Sequence, residues 1–179
     1  MGTQSIIMKP NGIAWEGRYC HLDGYPSGVG AAILEIVQRD GLIFAQDVLF
    51  NKHKIWTTIN GEQGMTNFAP GTHSYEKVEK PGVPIGDVVL NIKNKDLIQE
   101  NSITVVGYGE SIIDNSIPIE KYVITESNLS GYSHCKWSYL MSNEGLQVEY
   151  YNGKGVVGIV PWSTNPLDIE DVLEVERFL

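Results

Sequence analysis

In the first sixty residues, the spacing of hydrophobic side chains changes from one typical of a β-strand to one typical of an α-helix. Apolar runs at residues 5–8 and 13–20 flank Pro10-Asn11-Gly12, whose Asn-Gly pair supplies the positive φ angles of a tight hairpin turn. The pattern therefore predicts a β-hairpin followed by an amphipathic helix that ends at Asp40-Gly41. The helical stripe consists of Val29, Ala32, Ile33, Ile36 and Val37.

The rest of the chain is mostly strand-like. A second helix is predicted over residues 42–50 and a short closing helix from Pro166, because proline suits the first helical position. Residues 60–100 are rich in Gly and Pro and predict irregular loops. We therefore predict one α+β domain over residues 1–179: a mainly antiparallel β-sheet, two consecutive N-terminal helices after a β-hairpin, and a short C-terminal helix. Strands are predicted at residues 55–59, 88–92, 103–106, 122–125, 137–141, 146–151 and 156–160.

Composition limits the partners. The 179 residues are 42% hydrophobic, which is enough for one core. The 13 basic and 22 acidic residues give a net charge of −9, and this charge opposes duplex nucleic acid, whose binding depends on Lys and Arg. A small anionic ligand stays compatible with the charge, because backbone N–H groups can hold an anion locally.

The sequence lacks the patterns that are typical of secreted and membrane-spanning proteins. It has two cysteines, no basic leader before an apolar run, and no apolar stretch of the roughly 18 residues that a membrane span needs. We therefore expect a cytoplasmic protein with reduced cysteines, no membrane partner and no cofactor. Its many Tyr and Trp residues leave a homodimer open.

The strongest candidate for an anion site is the predicted start of the first helix, Pro26-Ser27-Gly28-Val29-Gly30. Ser27 is placed to cap the helix, and Gly28 and Gly30 let a phosphate or carboxylate approach unpaired N–H groups. The spacing matches neither the P-loop nor the dinucleotide fingerprint. An ordinary helix cap explains the same residues, so both interpretations remain.

Chemistry-bearing side chains lie just upstream, in Tyr19-Cys20-His21-Leu22-Asp23. Strand alternation places Tyr19, His21 and Asp23 on one face and the other two residues on the opposite face. His21 is therefore the predicted general acid or base and Asp23 its orienting carboxylate, while Tyr19 and Tyr25 supply hydroxyl groups. The alternative is that Asp23 caps the turn at Gly24 and His21 is structural.

Two further hypotheses concern metal and aromatic contacts. Cys20-His21 and His134-Cys135 suggest a soft metal site, but adjacent strand residues point to opposite faces, so we predict no metal ligands and place the cysteines in the core. Trp56, Thr57 and Trp137 are candidate ligand contacts, because aromatic rings near an anion site stack on bases or sugars. Core packing is the alternative for each of them.

Several stretches of the chain resemble a known family, including residues 56–59 (WTTI) and 135–140 (CKWSYL). Met1-Gly2-Thr3-Gln4-Ser5 together with residues 19–27 (YCHLDGYPS) resembles an uncharacterised bacterial and phage family that begins MGTRS and carries a YCHWDGYP motif. Gln4 and Leu22 depart from that pattern, which has Arg and Trp there. The resemblance implies a small accessory protein in the bacterial cytoplasm that acts against a host defence.

These observations lead to one principal functional hypothesis and two alternatives. The principal hypothesis is a protein that binds a small phosphate-bearing ligand such as a nucleotide second messenger. If the protein is an enzyme, it hydrolyses that ligand. A binding module without catalysis needs the same site but no base. The other alternative is a non-catalytic inhibitor whose acidic surface meets a host protein, with its charges at Asp168, Glu170, Asp171, Glu174 and Glu176.

Overall fold

A computed structural model of the chain describes residues 3–53, 55–61, 75–77, 102–112, 122–150 and 155–173. In these segments nine strands form one sheet in the order β4-β5-β6-β3-β2-β1-β7-β8-β9. The strands are β1 Ser5–Asn11, β2 Ala14–Cys20, β3 Ile55–Ile59, β4 Tyr75–Lys77, β5 Ser102–Val106, β6 Gly109–Ile112, β7 Trp137–Met141, β8 Leu146–Tyr150 and β9 Gly155–Val160.

Most neighbouring strands are antiparallel, which confirms the predicted fold class. The N-terminal hairpin is present, with Gly12 at a φ of 63° in its turn, and β7, β8 and β9 form the predicted meander. Three pairs are parallel: β1 with β7, β2 with β3, and β4 with β5. The β2–β3 pair is parallel because both helices lie in the connection between these strands, and such a crossover returns the chain in the same direction.

Two of the predicted strands are not among the nine strands of the sheet. Residues 122–125 do not form a strand; only Ile124 makes a β-bridge, to Gly17 of β2. The predicted strand at residues 88–92 lies outside the described residues. Propensity failed for residues 122–125 because β-branched side chains also suit a single extended segment that crosses a sheet.

The helices follow the predicted order but differ in detail. The first begins with a π-helical turn, Pro26–Gly30, and continues as α1, Ala31–Asp40. After Gly41, at a φ of 87°, α2 spans Leu42–Gln46 and ends in a second π-helical turn, Asp47–Asn51. A 3₁₀ turn, Pro166–Asp168, leads into α3, Ile169–Leu173, as predicted. None of the described helices is long and apolar enough to cross a membrane.

The helices cover one face of the sheet, which we call the helix face. Its core contains the predicted stripe of α1 and one alternating set of strand side chains. The opposite face, called here the far face, carries a smaller core of Ile6, Met8, Ile124 and Cys135. The sheet is therefore covered on both sides. The buried strand residues of the helix face include Ile7, Cys20, Trp56, Tyr139, Val148 and Val160.

Tyr139 of β7 fixes the segment between β2 and the first helix. Its buried hydroxyl donates to the carbonyl of Gly24 at 2.6 Å. Its ring leaves no room for a side chain on the first helix, since a Cβ at Gly30 would lie 3.1 Å from the ring and 2.8 Å from Ile169. A Cβ at Gly24 would lie 2.7 Å from the carbonyl oxygen of Thr3. The two glycines therefore allow helix and turn to reach the sheet.

A buried guanidinium attaches the end of the second helix to the sheet. Arg18 of β2 is 3% exposed and donates from Nε and Nη2 to the carbonyl of Phe50, at 3.1 and 2.7 Å. Its third hydrogen bond goes to the carbonyl of Gly17 at 3.0 Å. A cation is stabilised at this place because the carboxyl end of a helix carries partial negative charge.

A buried histidine lies beyond this helix. The Nδ1 of His53 lies 2.8 Å from the hydroxyl of Ser111, which itself donates to the carbonyl of Ile55. Nδ1 is therefore the protonated nitrogen, and Nε2 is buried without a hydrogen-bond partner among the described residues. Burial, followed by the charge of Lys52, lowers the pKa of His53 from 6.5 to about 4.

We expect Tyr139→Phe to lower the free energy of unfolding by about 1–3 kcal/mol, because the Gly24 carbonyl loses its buried donor. Denaturant unfolding measures the change. Tyr25→Phe is the matched control: it removes an exposed hydroxyl and should stay within about 0.5 kcal/mol of the original protein. Equal effects of the two substitutions would contradict the proposed role of Tyr139.

The low pKa of His53 makes the fold sensitive to acid. The unfolded chain binds a proton at His53 near pH 6.5, and the folded chain only near pH 4, so stability is lost as the pH falls through this window. Between pH 7 and pH 5.5 the loss from this group should be about 1 kcal/mol. His53→Leu should flatten the pH dependence of unfolding, whereas Ile43→Ser, at an exposed position, should leave it unchanged.

Candidate functional site

The segment that carries the predicted site wraps around the end of β2. Cys20 is the last residue of β2 and pairs with Trp56 of the parallel strand β3. The ladder continues for two residues, because the N–H groups of His21 and Leu22 donate to the carbonyls of Trp56 and Thr57 at 3.0 and 2.8 Å. The chain then leaves the sheet toward the first helix. Side chains before this point and side chains after it therefore lie on different sides of the sheet.

Tyr19 and His21 share the far face, as alternation predicts. The hydroxyl of Tyr19 lies 2.8 Å from Nδ1 of His21, and both side chains are half-buried. A phenol can donate to a neutral imidazole or accept from a protonated one, so this bond suits either state of His21. It also leaves Nε2 of His21 as the ring nitrogen that does not face Tyr19.

Two further rings join this pair from a distant part of the chain. The ring centroids of Tyr132 and His134 lie 6.2 and 5.9 Å from that of Tyr19, and 6.3 Å from each other in a stacked arrangement. The His21 ring lies 5.9 Å from Tyr19. We call Tyr19, His21, Tyr132 and His134 the histidine–tyrosine cluster.

Residues 122–136 position the second half of the cluster by crossing the far face. The crossing starts at the bridge in which Ile124 and Gly17 exchange hydrogen bonds of 2.8 and 3.0 Å. It ends at Cys135, which is fully buried in the far-face core and whose N–H donates to the carbonyl of Tyr132. Because Cys135 is held inside, its neighbour His134 is directed outward beside Tyr19.

The far-face core also affects the phenol of Tyr19. Burial, and then the thiols of Cys135 and Cys20, raise the pKa of Tyr19 to about 12. The Tyr19 hydroxyl therefore keeps its proton at neutral pH. It acts as a hydrogen-bonding group toward His21 and not as a phenolate.

The described hydrogen bonds of Asp23 and His21 go to other residues, so the predicted acid–base pair stays a prediction. The backbone of Asp23 adopts a φ of 56°, in the left-handed region, and this turn ends the strand alternation on which the prediction relied. Its carboxylate instead accepts a hydrogen bond from the hydroxyl of Tyr25 at 3.2 Å. Among the described residues, the polar partner of His21 is Tyr19.

The helix start also differs from the prediction. The N-cap is Tyr25, without a side-chain cap, so Ser27 is an exposed residue of the first turn and not the capping hydroxyl. The N–H groups of Gly28 and Val29 are already bonded to the carbonyls of Tyr25 and Asp23, both at 2.9 Å. A Cβ at Gly28 would collide with the Asp23 carbonyl. Close packing therefore explains this glycine without an anion.

A cavity of about 240 Å³ opens beside the helix start. Its lining includes the carboxylates of Asp23 and Glu35, the side chains of Tyr25 and Asn60, and no Lys or Arg among the described residues. Two carboxylates repel an anion. The cavity therefore does not favour the phosphate that the sequence predicts for Ser27 and the glycines, and phosphate binding there stays a prediction.

The aromatic residues predicted to touch a ligand lie in the helix-face core. Trp56 is fully buried and donates from Nε1 to the carbonyl of Leu49 at 3.0 Å. Trp137 is 3% exposed and packs on Tyr150. Neither ring is free to stack on a ligand. Thr57 is 5% exposed, and the β2–β3 register places it beside His21.

The two cysteines lie on opposite faces of the sheet. Cys20 belongs to the helix-face core and Cys135 to the far-face core, and burial raises both thiol pKa values to about 12. Their predicted place in the core is confirmed. No group of three or more metal-ligating side chains occurs among the described residues.

Comparisons of the chain with protein-family models, with curated proteins and with solved structures returned no match. The residues themselves are therefore the basis for any functional assignment.

Sequence reasoning missed the contribution of Tyr132 and His134 to a site with Tyr19. These residues are more than one hundred positions from Tyr19, and a crossing of the far face brings them together. The repeated Cys-His pairing did draw attention to His134, but only through a metal site that strand alternation argued against. Of the predicted acidic surface, Asp168, Glu170 and Asp171 are exposed, whereas Glu174 and Glu176 lie outside the described residues.

The left-handed backbone at Asp23 gives a direct test of the turn. Asp23→Val should lower the free energy of unfolding by about 1–2 kcal/mol, because a β-branched residue is strained at positive φ. Asp23→Asn should be nearly neutral, since Asn also adopts this conformation. Denaturant unfolding of both variants checks the difference, and an equal loss in both would assign the effect to the carboxylate.

Proposed function

We propose that this protein binds a small phosphate-bearing ligand at the histidine–tyrosine cluster. The observation that carries the proposal is the 2.8 Å contact between the Tyr19 hydroxyl and Nδ1 of His21, with the His134 ring against the same phenol. The two imidazoles supply hydrogen-bond donors to phosphate oxygens, and imidazole is the side chain that gains a positive charge near neutral pH.

The cluster suits an anion better than the helix start does. At the helix start, two of the early N–H groups are bonded within the turn and the neighbouring cavity has two carboxylates. In the cluster, none of the described contacts of Tyr19, His21 and His134 is with a carboxylate. The negative net charge of the chain restricts the ligand to a small one, because a polyanion would be repelled over a wide surface.

The rings of Tyr132 and His134 support a ligand that also has a planar part. They lie near-parallel, with 28° between their planes, and His134 is exposed. Aromatic side chains stack on nucleobases without sequence preference. A nucleotide, with its phosphate toward His21 and His134 and its base against the Tyr132 ring, fits this arrangement.

The binding site can be located with two substitutions on opposite sides of the sheet. His21→Gln removes the imidazole and should weaken binding of 3′,5′-cyclic AMP or AMP about ten- to a hundredfold, as expected for a lost hydrogen bond to a charged group. Ser27→Glu places a negative charge at the helix start and should leave the affinity unchanged. Titrations followed by histidine-ring NMR signals measure both variants.

The reverse result, with binding lost in Ser27→Glu and kept in His21→Gln, would move the site to the helix start. Absence of binding to either nucleotide and to inorganic phosphate would contradict the proposal.

A further inference from the structure

The histidine–tyrosine cluster holds two imidazoles around a single phenol. The centroid of the Tyr19 ring is 5.9 Å from those of both His21 and His134, with interplanar angles of 50° and 53°. Binding a phosphate requires only donors. Two histidines at one phosphate site can in addition accept a proton and donate another, which is what general acid–base catalysis requires.

The two imidazoles differ in their surroundings. His21 is half-buried and held at Nδ1 by the Tyr19 hydroxyl, whose oxygen can accept a hydrogen bond from Nδ1–H of a protonated ring. This contact holds the ring in one orientation, with Nε2 turned away from Tyr19 and able to face a leaving group. His134 is exposed to solvent, where water is available. These surroundings suit His21 to the role of acid and His134 to that of base.

The charge of the cluster indicates whether a phosphomonoester or a phosphodiester fits it better. The two imidazoles are the only groups of the cluster that can become positive. A phosphomonoester carries a charge of about −1.5 to −2 at pH 7, whereas a diester carries a single negative charge. Only two imidazoles are there to balance the charge of the ligand, and the chain as a whole has a net charge of −9. The diester, with its smaller negative charge, therefore fits the cluster better.

Resting on the binding proposed above, we propose that the histidine–tyrosine cluster hydrolyses small phosphodiesters, with His134 as general base and His21 as general acid. A water oxygen attacks phosphorus while His134 takes the proton of the water. The bond from phosphorus to the leaving alcohol breaks, and Nε2 of His21 gives its proton to the departing oxygen. One water and one diester give one monoester and one alcohol, and proton exchange with solvent restores both rings. Tyr19 is a positioning residue.

The leaving group provides the decisive test, because a good leaving group needs no general acid. The 179-residue chain, prepared in EDTA to inactivate contaminating metal-dependent enzymes, is assayed with 3′,5′-cyclic AMP and with bis(p-nitrophenyl) phosphate. His134→Gln should lower kcat about a hundredfold or more for both substrates. His21→Gln should do the same for cyclic AMP, whose leaving group is an alkoxide, but only about tenfold or less for the nitrophenyl ester.

Tyr19→Phe keeps the ring but removes the hydroxyl that holds His21. It should lower kcat for cyclic AMP more than for the nitrophenyl ester and leave KM for both unchanged, because only cyclic AMP needs a correctly oriented acid, a difference that a merely structural role of Tyr19 would not cause. Ile43→Glu, at an exposed position of α2, should leave kcat for both substrates unchanged. Unfolding curves of every variant show whether it is folded.

The outcomes separate this inference from the binding proposal. Nucleotide binding without turnover of either substrate overturns hydrolysis and leaves binding intact, whereas neither binding nor turnover overturns both. Equal losses for the two substrates in His21→Gln overturn its role as the acid. Turnover that disappears in EDTA, or that survives in His134→Gln, overturns the assignment of catalysis to the two histidines.

Discussion

The close approach of the first helix to β7 is the constraint on which the rest of the structure depends. Tyr139 lies at this contact, with Gly30 against its ring and the Gly24 carbonyl on its hydroxyl. A side chain on either glycine would push the helix or the turn away from the sheet. The contact therefore fixes where the chain leaves β2, and with it which side chains remain on the far face and which turn toward the helices.

One consequence is that two chemically different regions arise from twelve consecutive residues. Tyr19 and His21 stay on the sheet, where the far-face core supports a cluster of rings. Asp23 and Ser27 move to the helix side, where a second carboxylate, that of Glu35, lines the same cavity. The imidazoles of the cluster and the carboxylates of the cavity therefore belong to different regions of the structure.

The far-face site depends equally on a segment that is neither helix nor strand for most of its length. Residues 122–136 have few regular backbone partners, so burial of Ile124 and Cys135 and the bridge to Gly17 hold them in place. A site that includes His134 therefore depends on packing of the far-face core. Changes at Cys135 would act on the site by moving its neighbour, although the thiol itself is buried and keeps its proton.

The sequence by itself determined the class of the fold, because strand and helix periods are local. The hairpin at Gly12, the stripe of α1, the β7–β9 meander and the closing helix were all predictable from such spacing. It also placed Tyr19 and His21 on one face, since both lie within the regular ladder around β2. It could not place Asp23, whose left-handed backbone follows from the contacts of its neighbours and not from its residue type.

Only the tertiary structure decided which side chains meet. The parallel pairing of β1 with β7 and of β2 with β3 depends on long crossovers that no local period records. The crossing of residues 122–136 over the far face brought His134 to Tyr19, while the carboxylate of Asp23 accepts a hydrogen bond from Tyr25. Local patterns specify elements because their period is set by backbone geometry. A site between distant elements is set by how their surfaces pack, and packing is a property of the whole chain.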